Sequence, residues 1–151
     1  MRRILSLTIL LCTLLTAATA QRAADKIVGI YHITHKGEES RIRIVKNVDD
    51  TYTAQVISVK NRTDKNGKVR LDEKNPDKSL RNTPCDRIVL IKGMKYDATK
   101  NTWGNAKIYD PTRGLRANVT CSFDTATRLR VRGSVLGIGE TVYWDKESEQ
   151  K

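Results

Sequence analysis

Alternation of apolar and polar residues, the two-residue period of half-buried β-strands, dominates the chain after its first twenty residues. Turn-forming residues separate the alternating segments. No segment beyond residue 20 keeps a helical period over three turns, so the pattern predicts an all-β chain. The eight predicted strands are 26–33, 40–47, 51–60, 86–94, 102–109, 115–123, 128–135 and 141–145.

Mostly short connections between these strands favour an antiparallel meander. Closing such a sheet into a barrel or near-barrel hides its edges, and we expect that architecture, with a two-sheet sandwich as the alternative. One connection, residues 61–82, is much longer. It holds a tight turn at Asn66-Gly67 and a second turn at 75–77 that can begin a short helical piece through Leu80. Connections of this length are usually functional or mobile.

The first twenty residues follow a different pattern. Two arginines precede an apolar stretch over residues 4–15, and Ala18-Thr19-Ala20 forms a small-x-small cleavage site. This is the pattern of a secretory signal peptide, too short and wrongly flanked for a spanning helix. Lipoprotein cleavage is not expected at Cys12, because Leu11 stands where a small residue is needed. We therefore expect one mature domain, 21–151, periplasmic or secreted and without a transmembrane segment.

Cysteine content and charge refine this expectation. Signal cleavage leaves Cys85 and Cys121, and an even pair in an exported chain favours one disulfide, which would stabilise the fold by roughly 3–4 kcal/mol. Two buried thiols, or one reactive thiol, are the alternatives. The formal net charge is +11, or +9 once the two leader arginines are removed. Such a charge indicates attraction to anionic surfaces rather than a particular fold.

Turn sequences also carry a family resemblance. The segments NPDKSLRNTP (75–84), IKGM (91–94), IYDPTRG (108–114) and LRVRG (129–133) occur in order, with tryptophans at 103 and 144. In this order and spacing they resemble an exported bacterial family catalogued as domain of unknown function 2147, from about Lys26 to Asp145. The resemblance implies an all-β, lipocalin-like barrel in the cell envelope and no established activity.

The motif at 108–114 has two interpretations. Asp110-Pro111 suits the start of a turn that Gly114 closes, because the carboxylate accepts backbone N–H groups two residues on and proline fixes its own φ. A catalytic pair of Asp110 and Tyr109 is the alternative, but the sequence indicates no further titratable group with a defined role. We favour the structural turn and predict no catalytic residues.

Metal and cofactor chemistry has little support in the sequence. The two histidines, His32 and His35, are three residues apart on a predicted strand, so they point to opposite faces and cannot readily share a metal. No cysteine or carboxylate stands beside them at ligand spacing, and no serine lies in a nucleophile-elbow pattern. We therefore expect no metal, no cofactor and no hydrolase triad.

Two functional hypotheses follow. In the first, a non-enzymatic barrel holds one small, partly apolar, anionic ligand at its open end. The residues expected to line or gate that site are Tyr109, Trp103, Trp144 and Arg81. Arg81 is a separate case, because it lies within the family motif and can pair with Asp110 or meet the ligand.

The second hypothesis is an interaction protein with a basic outer face. Arginines at alternate positions, 41 and 43 on one strand and 128, 130 and 132 on another, each line one strand face. An exposed outer face explains them structurally. Docking to an anionic glycan, a lipid head group or an acidic envelope partner is the functional interpretation. Nucleic acid is not expected, because these strands carry no stacking aromatic residues.

Overall fold

The computed structural model describes Thr19 and residues 21–148, so the expected signal peptide lies outside the described residues except for Thr19. The long connection, predicted at 61–82, extends over residues 60–88 and holds two short 3-10 helices, Lys78–Leu80 and Cys85–Arg87; the first confirms the helical piece predicted there. The predicted all-β fold is confirmed by eight strands: β1 (Gly29–His35), β2 (Glu38–Lys46), β3 (Tyr52–Val59), β4 (Val89–Asp97), β5 (Thr102–Asp110), β6 (Leu115–Phe123), β7 (Arg128–Val135) and β8 (Ile138–Lys146).

The strands form a closed barrel in sequence order. Each pairs antiparallel with the next, and β1 also pairs with β8. The sandwich alternative is therefore wrong. The β1–β8 seam is short: it contains the pairs Tyr31↔Lys146 and His32↔Asp145, and the Glu147 N–H donates to the Ile30 carbonyl at 2.8 Å. The paired part of this seam lies at the end where β1 begins, which we call the base. The opposite end is called the mouth.

The base is closed by a plug, defined as residues 21–28, of which 21–25 are helical. Two backbone carbonyl groups of the plug accept hydrogen bonds from aromatic side chains of the barrel. The Trp103 Nε1–H donates to the Ala24 carbonyl at 2.9 Å, and the Tyr31 hydroxyl donates to the Ile27 carbonyl at 2.7 Å. These bonds satisfy groups that would otherwise be buried without partners.

The plug corrects the predicted first strand, which was set at 26–33 but begins at Gly29. Ile27 is fully buried beneath the barrel rather than in its wall. Asp25 accepts a hydrogen bond from the Tyr52 hydroxyl at 2.7 Å. That bond lowers the pKa of Asp25, while burial of the phenol is the main cause that raises the pKa of Tyr52. The apolar residues at 27 and 28 therefore pack as a cap.

Alternation places one set of side chains inside the barrel and the other outside. Direct cross-strand partners share a face, so the pairs Tyr31↔Ile42, Trp103↔Cys121 and Leu129↔Trp144 all point inward. Six of the large buried side chains lie in the half near the base: Trp103, Trp144, Tyr31, Tyr52, Ile44 and Met94. Apolar burial on this scale is the main contribution to the stability of a small barrel.

The expected disulfide is wrong, because Cys85 and Cys121 are both free. Cys121 lies on the inner face of β6, 3.9 Å from the Met94 sulfur, and burial raises its pKa to about 12. Cys85 lies in the long connection instead, where its thiol donates to the Arg62 carbonyl. The even cysteine count could not reveal that one residue belongs to the core and the other to a loop.

Alkylation of the unreduced protein checks this correction. We expect a thiol reagent to modify Cys85 slowly and Cys121 not at all in the native state, because only the thiolate reacts and Cys121 is fully buried. In denaturant without reductant, both should be modified. Peptide mapping by mass spectrometry reads each site separately. If both cysteines stayed unmodified in denaturant, the prediction of a disulfide between them would be correct after all.

Candidate functional site at the barrel mouth

The mouth half of the barrel is lined by apolar side chains that are partly accessible to solvent. Ile108, Ala117 and Val142 point inward, since Ile108 pairs with the core residue Ile91 and Val142 pairs with Val131. All three are only partly buried. An inward side chain of a closed barrel can reach solvent only through the barrel interior, so the interior is accessible at this end. The barrel is therefore a cup, closed at the base and open at the mouth.

Small residues line the mouth half. Gly133 lies opposite Val119, and a Cβ built on it would stand 3.3 Å from the Ile108 side chain and 3.6 Å from that of Ala117, so glycine lets these two side chains approach the wall closely. Ala106 adds a third small inward residue on β5. The base half holds two tryptophans, whereas the mouth half holds alanine and glycine at facing positions. The inward side chains of the mouth half are therefore smaller than those of the base half.

A polar ring surrounds the opening. His35 and Glu38 pair at the mouth ends of β1 and β2, and Glu140 lies opposite Gly133 on the inner face of β8. The His35 Nε2 is 3.7 Å from one Glu140 carboxylate oxygen, and Arg113 donates to the other at 3.0 Å. This ring brings together an imidazole, two carboxylates and a guanidinium where a bound molecule would meet solvent.

Asp110 anchors the turn at which β5 ends. Its carboxylate accepts the Thr112 hydroxyl at 2.6 Å, the Thr112 N–H at 2.9 Å and the Arg113 guanidinium at 2.6 Å. Burial alone would raise the pKa of Asp110, but these hydrogen bonds outweigh it and lower the pKa to about 2. A carboxylate held in this way organises a turn and is poorly suited to take up a proton, so the geometry supports the structural interpretation.

Tyr109 lies on the outer wall, not in the cup. It pairs with Arg116, whose guanidinium stands 5.0 Å from its ring centroid, and the inward position beside it is taken by Ile108. The long connection covers it, and its hydroxyl donates to the buried Asp72 at 2.7 Å. Asp72 also accepts the Asn75 amide at 2.6 Å. We call Asp72, Asn75 and Tyr109 the loop latch, because they fix the long connection to β5.

The rest of the motif supports the same latch. The Arg81 Nε donates to the Asn75 carbonyl at 2.8 Å, so the expected pairing of Arg81 with Asp110 is wrong. Gly114 has φ of +67°, and a Cβ there would overlap the carbonyl oxygen of Lys74. Lys74 in turn donates to the Thr112 carbonyl at 2.7 Å. The two motif segments thus meet at one corner, which explains their residues without catalysis.

The four residues expected to line a ligand site are separated by the fold. Trp103 and Trp144 are fully buried in the base half. Tyr109 and Arg81 belong to the loop latch and its support on the outer side. Ligand contact stays a prediction for the two tryptophans, which form the floor of the cup. The geometry does not favour it for the other two.

The histidines point to opposite faces as predicted: His32 pairs with Arg41 on the exposed wall, while His35 faces Glu140. Among Thr19 and residues 21–148, no three His, Cys, Asp or Glu side chains are grouped so that they could hold a metal ion. No helix in this described part is long and apolar enough to cross a membrane.

The outer arginines are partly neutralised. Arg128 bonds Asp145 at 2.8 Å, and Arg41 bonds Glu147 at 2.7 Å. Within residues 21–148, no carboxylate lies within 4.0 Å of Arg43, Arg130 or Arg132. The basic face that the sequence predicted is therefore weaker than its residue count indicates.

A family model described as "Uncharacterized protein conserved in bacteria (DUF2147)" matches residues 29–146, which span the barrel from β1 to β8. The chain belongs to this family. Among solved structures, it is similar to protein HP1028 from the human pathogen Helicobacter pylori, described as belonging to the lipocalin family. The identity is 21%, with 82% of this chain and 84% of that chain covered and a TM-score of 0.68. No curated protein sequence matches this member of DUF2147. At that identity the structural similarity shows the fold, a lipocalin-like barrel.

Sequence reasoning missed the polar ring of this DUF2147 protein, although one signal for it was present. Glu140 stands two and four residues before the inward Val142 and Trp144, so alternation alone places its carboxylate inside the barrel. His35 similarly continues the inward set of Tyr31 and Ile33. A charged residue at an inward-pointing position near the end of a strand indicates that the barrel is open to solvent at that end.

Proposed function

We propose that this protein is a non-enzymatic binding protein of the cell envelope that holds one small, largely apolar molecule in the cup. The observation that carries the proposal is the accessible inner wall at Ile108, Ala117 and Val142 above a base sealed by aromatic residues and the plug. Apolar pockets with a few polar groups at one end are the usual form of small-molecule sites. The lipocalin-like barrel supports this reading.

The polar ring bears on the charge of the ligand. Its inward carboxylates are Glu38 and Glu140, and the neighbouring Asp110 adds a third negative charge beside two arginines, Arg70 and Arg113. Because Arg70 and Arg113 are bonded to these carboxylates, the ring offers no free cation to a buried anion. We therefore replace the anionic ligand expected from the sequence with one whose apolar body enters the cup and whose neutral or cationic polar group meets Glu140.

Filling the cup tests the proposal. We expect Ala117→Phe to weaken binding of the neutral apolar dye N-phenyl-1-naphthylamine by at least tenfold, because Ala117 points inward and the new ring would project into the cup. Fluorescence titration measures the dissociation constant. Asn118→Phe is the matched control, since its side chain points outward from the next position on β6 and should leave binding unchanged. Equal dye affinity in both variants and the parent would contradict the cup as a binding site.

Native mass spectrometry of protein isolated from the producing cell's envelope then addresses the natural ligand. A reproducible extra mass that is absent from Ala117→Phe and present in Asn118→Phe supports the cup and gives the ligand's mass. An extra mass retained equally by both variants places the molecule elsewhere.

A second candidate function is binding of a polyanion on the outer wall, supported by Arg43 and Arg130, which lack carboxylate partners within the described residues. We expect Arg43→Glu with Arg130→Glu to abolish retention on a column of immobilised polyanion. Retention of the parent should fall as salt rises to about 0.15 M and above, where exposed charges are screened. Unchanged retention of the double variant would exclude this wall as the binding surface.

A further inference from the structure

The turn between β7 and β8 is the most apolar exposed feature of the mouth. It carries Val135, Leu136 and Ile138, which are 54%, 97% and 84% exposed. Leu115, at the start of β6 and the same end of the barrel, is 60% exposed. Pairing of β7 with β6 ends at Ser134, so the tip of this hairpin lies beyond the part of β7 that pairs with β6. We call residues 135–138 the apolar tip.

The backbone conformation of the apolar tip makes a leucine at position 136 unusual. Leu136 has φ of +50° and Gly137 φ of +81°, a left-handed pair that normally takes asparagine or aspartate before glycine. A bulky apolar residue in this region is strained. The hairpin between β1 and β2 has the same pair of angles at Lys36 and Gly37, with a polar residue first. Leucine at 136 therefore costs stability through strain, and at 97% exposure its side chain gains almost no burial in return.

Cations surround the apolar tip. The β1–β2 hairpin lies next to it, as the 3.7 Å approach of His35 to Glu140 shows, and places the exposed Lys36 at its turn. Arg132 stands beside Gly139 on the other side. Neither Lys36 nor Arg132 has a carboxylate within 4.0 Å among residues 21–148, whereas Glu38 and Glu140 are bonded to arginines. An apolar tip flanked by unneutralised cations is complementary to an anionic lipid surface.

We propose that the apolar tip inserts between the head groups of an anionic membrane and thereby holds the mouth of the cup against the bilayer. Leu136 and Ile138 enter the boundary of the acyl region, while Lys36 and Arg132 lie at the level of the lipid phosphates. Each apolar group removed from water, and each cation near the charged surface, adds to binding. The proposal does not depend on occupation of the cup, because the tip is outside it.

Vesicle flotation tests the docking. We expect the full chain to float with vesicles of phosphatidylglycerol and phosphatidylcholine, and to bind pure phosphatidylcholine at least tenfold more weakly. The double variant Leu136→Asn with Ile138→Thr should lose at least tenfold in affinity for the anionic vesicles. Asparagine suits the left-handed position, so this variant should unfold at the same temperature as the parent or a higher one. Loss of binding can then be assigned to the apolar tip.

A matched control comes from the opposite end of the barrel. Val48, in the turn between β2 and β3, is fully exposed, so Val48→Asn removes an apolar group of similar exposure without touching the mouth. It should bind anionic vesicles as the parent does. Failure of the parent to float, equal binding by the tip variant, or an equal loss in Val48→Asn overturns the proposal. Concentration-dependent self-association of the parent that the tip variant abolishes, without vesicle binding, assigns the tip to pairing of two copies and also overturns it.

Discussion

Replacing Trp144 by alanine is expected to lower the free energy of unfolding by about 3–5 kcal/mol, the range found for removal of a large core aromatic residue. Trp144 is fully buried and packs edge-to-face on Tyr31, with ring centroids 6.2 Å apart. It lies next to the seam pair formed by Asp145 and His32. The cavity would therefore open beside the shortest strand pairing of the barrel. Urea denaturation followed by circular dichroism measures the loss.

The neighbouring Tyr143 provides the control. It points outward and is 44% exposed, and the Arg128 guanidinium carbon lies 5.6 Å from its ring centroid. Tyr143→Ala should lower the free energy of unfolding by less than about 1 kcal/mol, since exposed cation–π contacts contribute about 0.5–1 kcal/mol. A loss of equal size in both variants would show that alternation does not assign Trp144 to the core.

Replacing Asp72 by alanine has the second largest expected effect, a loss of about 2–4 kcal/mol in the free energy of unfolding. The change leaves the Tyr109 hydroxyl and the Asn75 amide, two buried donors, without their acceptor. Each unsatisfied buried polar group costs about 1–3 kcal/mol. The long connection should also become susceptible to limited proteolysis, because the loop latch holds it to β5. Chemical denaturation and mapping of the proteolytic cleavage sites measure the two effects.

Glu73→Ala is the matched control for this change. Glu73 is adjacent in sequence and exposed, so its removal should alter the free energy of unfolding by no more than about 0.5 kcal/mol. Protection of the connection from proteolysis should also be retained. If Asp72→Ala behaved like Glu73→Ala in both measurements, the loop latch would not stabilise the fold.

The strand pattern of this protein was predictable because a barrel wall separates water from core at every second residue. All eight predicted strands agree with the observed bounds within about three residues at each end, as in 102–109 against β5 at Thr102–Asp110. The last strand was predicted to start at 141 but begins at Ile138, because the turn uses Leu136-Gly137. Leucine in a left-handed turn is a local exception that the rules for turn residues exclude.

The site was less predictable, for a physical reason. Tyr109 and Trp103 lie on the same strand, six residues apart, so uninterrupted alternation places both inside the barrel. A bulge at Asn105, with φ of +53°, shifts the register between Trp103 and Ala106 and turns Tyr109 to the outer wall. A single extra residue in a strand reverses the face of everything after it, and sequence alternation alone does not locate such a residue.

The short seam between β1 and β8 determines when the barrel can be completed. The residues that close it, Tyr31 and Lys146, are separated by nearly the whole length of the barrel sequence. During synthesis, the earlier strands can pair with their sequence neighbours, but the ring cannot shut before the last strand arrives. Contacts this distant in sequence slow folding, because the loss of chain entropy comes before the gain from contacts. We therefore expect the unfinished chain to remain an open sheet until the residues of β8 are available to pair with β1.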